Sequence, residues 1–455
     1  MRARIIVVDD ESDFLDSVRR GLITSGFKNV HTEIDPTKAA EIIESGNIFD
    51  IALIDITMPG LSGIDLMMTI KNLQPRTECI MITALDEART AVDCLKRGAY
   101  DYLVKPISKE DLISSINRAL ERKRLLDILD LNKKKSIPKL NNTAAFAPIV
   151  TRNDKMLRIL KEAELHAISD APILITGTTG TGKELLARAI HKASLRASHS
   201  FTPINMDALT PTLFDAEFFG HTKGAFTGAE KERSGYLETA NKGTLFMDEI
   251  GNLAVELQGK LLRVLQDGEF LKIGTSKPSR TDVRFVAATN KDLEVLMARG
   301  KFRKDLYYRL SGSWLHLPAL KGRKDDIPLL ISQFLEEFCG PSGGDIDEKA
   351  MSMLMTYEYP GNIRELKSII RSAVNLARGK MISTRFLPAQ LVKKAAGLNR
   401  AGQTPGKPVR TLADLEKTHI VHTYQSLKNN KAQTARVLGI GVNTLRRKLD
   451  AYGIQ

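Results

Sequence analysis

The stretch Gly177-Thr178-Thr179-Gly180-Thr181-Gly182-Lys183 follows the apolar run Ile173-Leu174-Ile175 and fits the spacing G-x-x-x-x-G-K. Glycines at such positions let successive backbone N–H groups close round phosphate oxygens, and Lys183 adds a mobile positive charge. Residues 184 to 190 have a helical pattern, so the positive end of that helix would face the same anion. The hydroxyl residue that commonly follows such a lysine is absent, and Glu184 stands in its place at the mouth of the nucleotide pocket. A Mg²⁺ ion must then rely on Asp248, at the end of the apolar run Thr244-Leu245-Phe246-Met247, and on water. Glu249 is left to orient the attacking water. A glycine turn alone is weak, and so is an acid pair at a strand end; in order within one domain-sized span they point to nucleotide hydrolysis.

Between them lies Gly224-Ala225-Phe226-Thr227-Gly228-Ala229, with neither helical nor strand period. It reads as a mobile loop that offers an aromatic ring to solvent, or as a glycine turn whose Phe folds back into the core. Near the start, Asp9, Asp10 and Asp55 follow short apolar runs, as do Thr83 and Lys105. Carboxylates brought together there repel one another unless a divalent cation is shared, so Mg²⁺ is implied. Lys105 would pair with a phosphoryl group and Thr83 would hydrogen-bond it.

These residues must be positioned by several domains. At 455 residues the chain is long enough for about three cores. Apolar runs at 4–8 and 51–54, alternating with helical patterns, predict a doubly wound, flavodoxin-like parallel sheet over residues 1–120. Its last helix, from near Ser108, carries a stripe Leu112, Ile116, Leu120, Leu125 and Leu129 that outlasts one domain. Residues 121–145 therefore read as a linker helix, dimerising or solvated, ending in Lys133-Lys134-Lys135. The nucleotide-binding α/β domain with a helical lid occupies 146–388, a Gly/Pro-containing linker 389–408, and an all-α segment 409–455.

The three cysteines are widely spaced, without CxxC, which indicates neither a disulfide frame nor a zinc site. Four apolar residues before Asp9 are too few for a signal peptide, and no apolar run could span a bilayer, so a cytoplasmic protein with no membrane partner is expected. The net charge of +13 is uneven: from Ala389 on there are twelve Lys and Arg against three acids. A basic end points to nucleic acid. There, a small-residue helix through Leu438, the break Gly439-Ile440-Gly441 and a last helix from Val442 form a helix-turn-helix. Leu445, Leu449 and Tyr452 would face inward, leaving Asn443, Thr444, Arg446, Arg447 and Lys448 for DNA.

With GAFTGA intact beside the glycine loop and the Asp-Glu pair, the chain closely resembles the NtrC family of enhancer-dependent transcription activators, which are AAA+ ATPases acting on sigma-54 RNA polymerase. The resemblance covers nearly the whole length. It implies that residues 224–229 contact sigma-54, that Asn205 restrains Glu249, and that Asn290 senses the terminal phosphate of ATP. By the same resemblance Arg303 and Arg309 are offered to a neighbouring subunit's ATP in a hexameric or heptameric ring, and Arg364 of Gly361-Asn362-Ile363-Arg364-Glu365-Leu366 is a second sensor. An arginine finger can be worth on the order of a thousandfold in rate, which makes hydrolysis depend on assembly.

The first domain resembles a response-regulator receiver, so Asp55 would take phosphate from a histidine kinase and Tyr102 would be the switch aromatic, or a plain core ring. The last segment resembles a Fis-type domain bound to enhancer DNA. Departures are Thr178-Thr179 for the commoner Glu-Ser, Thr222 for Glu, Lys321-Gly322 for Arg-Glu, Gly441 for a capping Ser or Asp, and Thr151-Arg152-Asn153 without the usual Gly and Ser. None removes a catalytic group. The competing reading is a DNA-binding repressor or architectural protein whose ATPase serves assembly only.

Overall fold

The computed structural model describes residues 3–84, 88–133, 137–226, 229–340, 344–389, 391, 412–427 and 429–454. The chain divides into two units, Met1–Ile346 with Glu358–Ile382, and Asp347–Tyr357 with Ser383–Gln455.

The first unit opens with strands β1 (Arg4–Val8), β2 (Asn29–Glu33), β3 (Ile51–Asp55), β4 (Glu78–Thr83) and β5 (Asp101–Val104). All pair in parallel in the order β2-β1-β3-β4-β5. Every residue of β3 and β4 is buried, which is why the middle of each run is apolar without alternation, and the buried Glu78 that opens β4 is paired with Lys71 and Arg122. Helices α1 (Ser12–Thr24), α2 (Pro36–Glu44), α3 (Gly63–Leu73), α4 (Ala88–Lys96) and α5 (Lys109–Lys133) cover the two faces. Local chemistry starts them: Asp35 caps α2 by accepting from Thr37 N, with Pro36 at the first helical position, and Ser62 caps α3 by accepting from Asp65 N.

Helix α5 is about 37 Å long at 1.5 Å per residue. Its first half buries Leu112, Ile116 and Ala119 on the sheet. Its second half runs onto α7 (Asp154–Ala167), beyond the short α6 (Thr143–Phe146). The Arg124 guanidinium bonds His166 Nδ1 there, and Arg158 Nη1 donates to Leu131 O at 2.9 Å. The linker helix is thus docked on the central domain through Arg124, while Leu125 and Leu129 of the expected stripe are 49% and 55% exposed. Of the basic run that follows, Lys134 and Lys135 lie outside the described residues.

A second parallel sheet is built from β6 (Ile173–Thr176), β7 (Phe201–Asn205) and the strands Thr244–Asp248, Arg284–Thr289 and Ser313–His316. Its order is Ser313–His316, β6, Arg284–Thr289, Thr244–Asp248, β7. Strand β6 lies second in the sheet, between Ser313–His316 and Arg284–Thr289, and is buried up to Thr176; α8 (Lys183–Ala193) follows the loop at its carboxyl end. Arg284 is buried at the other end, donating to the carbonyls of His166 and Ala167 at the close of α7. Burial pulls its guanidinium down to about 10. The helices Asp326–Cys339 and Asn362–Ala377 pack together. Asp326, fully buried, accepts from Thr151 Oγ1, Arg152 N and Asn153 N, so the unusual opening segment is anchored to the lid by its own backbone.

In the second unit, helix Glu348–Thr356 is capped by Asp347. Helices Leu412–Ser426, Lys431–Leu438 and Val442–Ala451 close round Ile420, Tyr424, Ala435, Leu445 and Leu449. Gly439 (φ 64°) ends the middle helix in the left-handed region, and the residue 397–408 linker lies outside the described residues. Five buried residues are a small core. Leu445→Ala, which removes a fully buried side chain, should cost about 2–5 kcal/mol. Hydrogen exchange should then show loss of protection through Val442–Ala451, with both parallel sheets unchanged.

Candidate active sites

In both sheets most of the predicted site residues lie at the carboxyl ends of the strands. In the first, Asp9 follows β1 and Asp55 ends β3, on the two sides of the point where strand order reverses. Oxygens of Asp9, Glu11 and Asp55 lie within 4.8 Å of one another. Asp10, expected among the metal ligands, is exposed and outside this cluster, because the chain turns after β1 and brings Glu11 round instead. Glu11 was legible in principle as the third acid of Asp9-Asp10-Glu11.

Lys105 Nζ is 2.9 Å from Asp9 Oδ2, 2.9 Å from Glu11 Oε1 and 3.3 Å from Asp55 Oδ2. Burial alone would lower the Lys105 ammonium, but hydrogen bonds to Asp9 and Glu11 outweigh it and the net shift is upward. Burial pushes Asp9 and Asp55 above the ordinary carboxylate value despite this lysine. Asp55 Oδ1 is buried without a hydrogen-bond partner, and Asp9 Oδ2 has only the off-axis ammonium. Such oxygens are a donor set that fits a hard divalent cation. Thr83 is buried at the end of β4, and Tyr102 is half-buried against the core on β5.

In the second sheet the glycine loop joins β6 to α8. Gly177, Gly180 and Gly182 have φ of 155°, 79° and 103°, a conformation that side chains rarely adopt. Lys183, 6% exposed, donates to Gly177 O at 2.9 Å and lies 3.8 Å from Glu249 Oε1. Thr181 Oγ1 donates to Thr178 O. Asp248 ends its strand beside this lysine, its carboxyl raised by burial and then by the charge of Glu249. Glu249 has φ 54°, a strained setting for a non-glycine residue. The exposed Glu184 carboxylate pairs with Arg188 one turn on, at 2.7 Å, and its charge is also felt at Asp248. Asn290 Nδ2 donates to Thr179 Oγ1 at 2.8 Å, and Asn290 N donates to Glu249 Oε2 at 3.1 Å. Asn205 Oδ1 accepts from Asp207 N in its own turn instead of holding Glu249.

Arg303 and Arg309 are exposed. The first pairs with Asp305 at 2.7 Å, and the second donates to Leu265 O at 3.0 Å. Arg364 is exposed, with its Cβ above Gly180. Unforeseen neighbours are Arg323, which donates to Thr181 O at 2.7 Å, and Asn362. Neither carries a spacing signal of its own.

The Gly224 turn is closed by Gly224 N to Ala229 O at 2.8 Å and Ala229 N to Phe226 O at 3.0 Å. Ala225 N donates to Thr222 O in the same turn. Phe226 is 46% exposed, its ring edge-on to His221 at 4.9 Å. Thr227 and Gly228 lie outside the described residues. At the basic end, Asn443, Arg446 and Arg447 are exposed on the last helix and Thr444 is half-buried. Lys448 pairs with Glu416 at 2.6 Å, so it is less free for DNA than its charge suggested. Gly441 begins the last helix without a side-chain cap.

The upward shifts of Asp9 and Asp55 mean that folding favours their protonated forms. That contribution is fully present below the ordinary carboxylate value and is lost as pH rises through the raised values. Asp55→Asn should therefore melt higher than the original protein at neutral pH without Mg²⁺, by about 2–4 °C, and respond less to added Mg²⁺. Equal melting curves by calorimetry would mean that Lys105 already offsets the repulsion.

Four family models match in order: response regulator receiver domain over residues 5–117, sigma-54 interaction domain over 149–316, AAA+ ATPase lid domain over 321–404, and bacterial regulatory protein, Fis family, over 411–452. The chain is 39% identical over 468 residues to the regulatory protein AtoC of Escherichia coli K12, covering 99% of this chain and 98% of that one. It is 34% identical over 485 residues to the DNA-binding transcriptional regulator NtrC of Azospirillum brasilense, covering 100% and 98%. Among solved structures it resembles NtrX from Brucella abortus in complex with ADP, at 31% identity, TM-score 0.50 and full coverage of both chains. Similar end to end to such regulators, and carrying the same succession of segments, the chain belongs to the NtrC family of two-component, sigma-54-dependent transcription activators, and its central domain is an ATPase.

Proposed function

We propose that the chain is a phosphorylation-controlled activator that binds enhancer DNA through its last helix and remodels sigma-54 RNA polymerase holoenzyme with energy from ATP. Asp55 accepts the phosphoryl group from a histidine kinase, with Asp9, Glu11 and Asp55 as oxygen ligands for Mg²⁺ and Lys105 countering the added charge. Thr83 and Tyr102 relay that state to the rest of the domain. The backbone of residues 177–182 and Lys183 bind the ATP phosphates, Asp248 holds Mg²⁺, and Glu249 orients water. Asn290 and Arg364 sense the terminal phosphate, and Asn205 stands on the next strand beside Asp248.

Arg303 and Arg309 act on a neighbouring copy's nucleotide in a ring of six or seven. Support comes from their exposure and from bonds that hold them away from the chain's own loop. Mixing Arg309→Ala with Lys183→Ala, each inactive alone, should restore part of the ATPase by pairing one intact loop with one intact finger. A mixture that stays inactive would place the site within a single chain.

The observation that carries the sigma-54 reading is Phe226, an apolar ring left 46% exposed on a tight turn closed by bonds between Gly224 and Ala229 and between Ala229 and Phe226. A side chain that touches a partner and not the phosphates can be removed without harming hydrolysis. Phe226→Ala should keep ATPase and DNA binding within about twofold, while losing capture of sigma-54 in the presence of a transition-state mimic and losing open-complex formation. Normal activation by this variant would favour a repressor or architectural protein whose ATPase serves assembly.

A further inference from the structure

Residues 178–181 of the nucleotide loop are gripped by the lid. Asn362, 2% exposed and in the left-handed region at φ 53°, opens the lid helix Asn362–Ala377. Its Oδ1 accepts from Leu320 N at 2.8 Å, and its Nδ2 donates to Thr178 Oγ1 at 3.0 Å and to Thr179 O at 2.9 Å. Next to it, Ile363 N donates to Gly180 O at 3.0 Å, and Arg323 Nη2 donates to Thr181 O at 2.7 Å. A Cβ on Gly180 would stand 2.3 Å from Gly361 O, so loop and lid are in backbone contact. On the far side Thr179 Oγ1 accepts from Asn290, whose backbone N–H holds Glu249.

A run of contacts therefore leads from the lid through Asn362 to the Thr179 carbonyl and, by the Thr179 hydroxyl, to Asn290 and the water-orienting carboxylate, while the Thr178 hydroxyl is the second anchor of the same amide. A planar amide holds three bonds from one rigid group, and both of its N–H donors are committed to protein acceptors. Asn362 has no donor left for a phosphate.

We propose that Asn362 is a positioning residue for ATP hydrolysis, which fixes the lid against the Thr178 hydroxyl and the Thr179 carbonyl together so that Thr179, Asn290 and Glu249 keep their register with the bound phosphates. The inference rests on the ATPase and not on the sigma-54 reading. It also gives a use to Thr178, one of the loop positions that depart from the commoner residue.

The test is steady-state ATPase of the full chain against ATP concentration, at equal protein concentration for every variant. Thr178 is exposed, so Thr178→Val folds whatever the outcome at Asn362. Losing one hydrogen bond should lower kcat about three- to tenfold with KM for ATP nearly unchanged, and Thr178→Ser should restore the rate. Asn362→Ala should lose more, and adding Thr178→Val to it should cost nothing further. An unchanged kcat in Thr178→Val, a loss confined to KM, or a double variant that loses the product of the two single effects would overturn the proposal. If the original protein's specific activity does not rise with concentration, the shared ring fails instead, and the ratios between variants still decide the role of Asn362.

Discussion

A parallel sheet covered by helices on both faces has no place for a charge in the middle of its interior strands, and that constraint organises both α/β parts of this chain. The residues of β3, β4 and Arg284–Thr289 are buried throughout, so polar groups gather where the strands end and the backbone turns away. Asp9 and Asp55 are at such ends in one sheet, Asp248 and the glycine loop in the other. Each site then solves the same electrostatic problem with one inward-pointing lysine, Lys105 among three acids and Lys183 beside Asp248 and Glu249. Each lysine is already desolvated and held, which strengthens its attraction for added negative charge.

The two sites share more than a design. The helix that closes the receiver core continues as the one that lies on α7, so Arg124 bonds His166 in the central domain while Leu112 and Ile116 remain in the first core. His166 also faces Ser313 Oγ at 2.8 Å, on the strand that pairs with β6. Packed groups thus join the receiver helix to a strand that neighbours the one before the nucleotide loop.

Much of this was written in local chemistry. Gly177, Gly180 and Gly182 are needed by positive φ, and Lys183 by its place in the loop; such requirements are met by residue type and spacing alone, which is why the nucleotide site was legible. The same holds for the strand-end acids Asp9, Asp55 and Asp248, and for Leu445 and Leu449, whose spacing already turned them inward. Asp10 and Glu184 show what type and spacing leave open. Both are acids beside a predicted site, and their surroundings are set by a turn after β1 and by the helical phase of α8, so that Glu11 enters the acidic cluster and Glu184 pairs with Arg188.

The sequence by itself determined the order of the domains, the periodicity of their buried strands and the residues of the phosphate loop, because these depend on neighbours a few positions apart. Tertiary structure alone decided the contacts between segments more than a hundred residues apart. Asn362 grips Thr178 and Arg323 grips Thr181 because the lid folds back over the loop, and Asn290 reaches Thr179 because its strand pairs with β6. Nothing in the composition of those residues marks them, since an amide or a guanidinium acquires its role only from the acceptors that the fold sets within hydrogen-bonding distance.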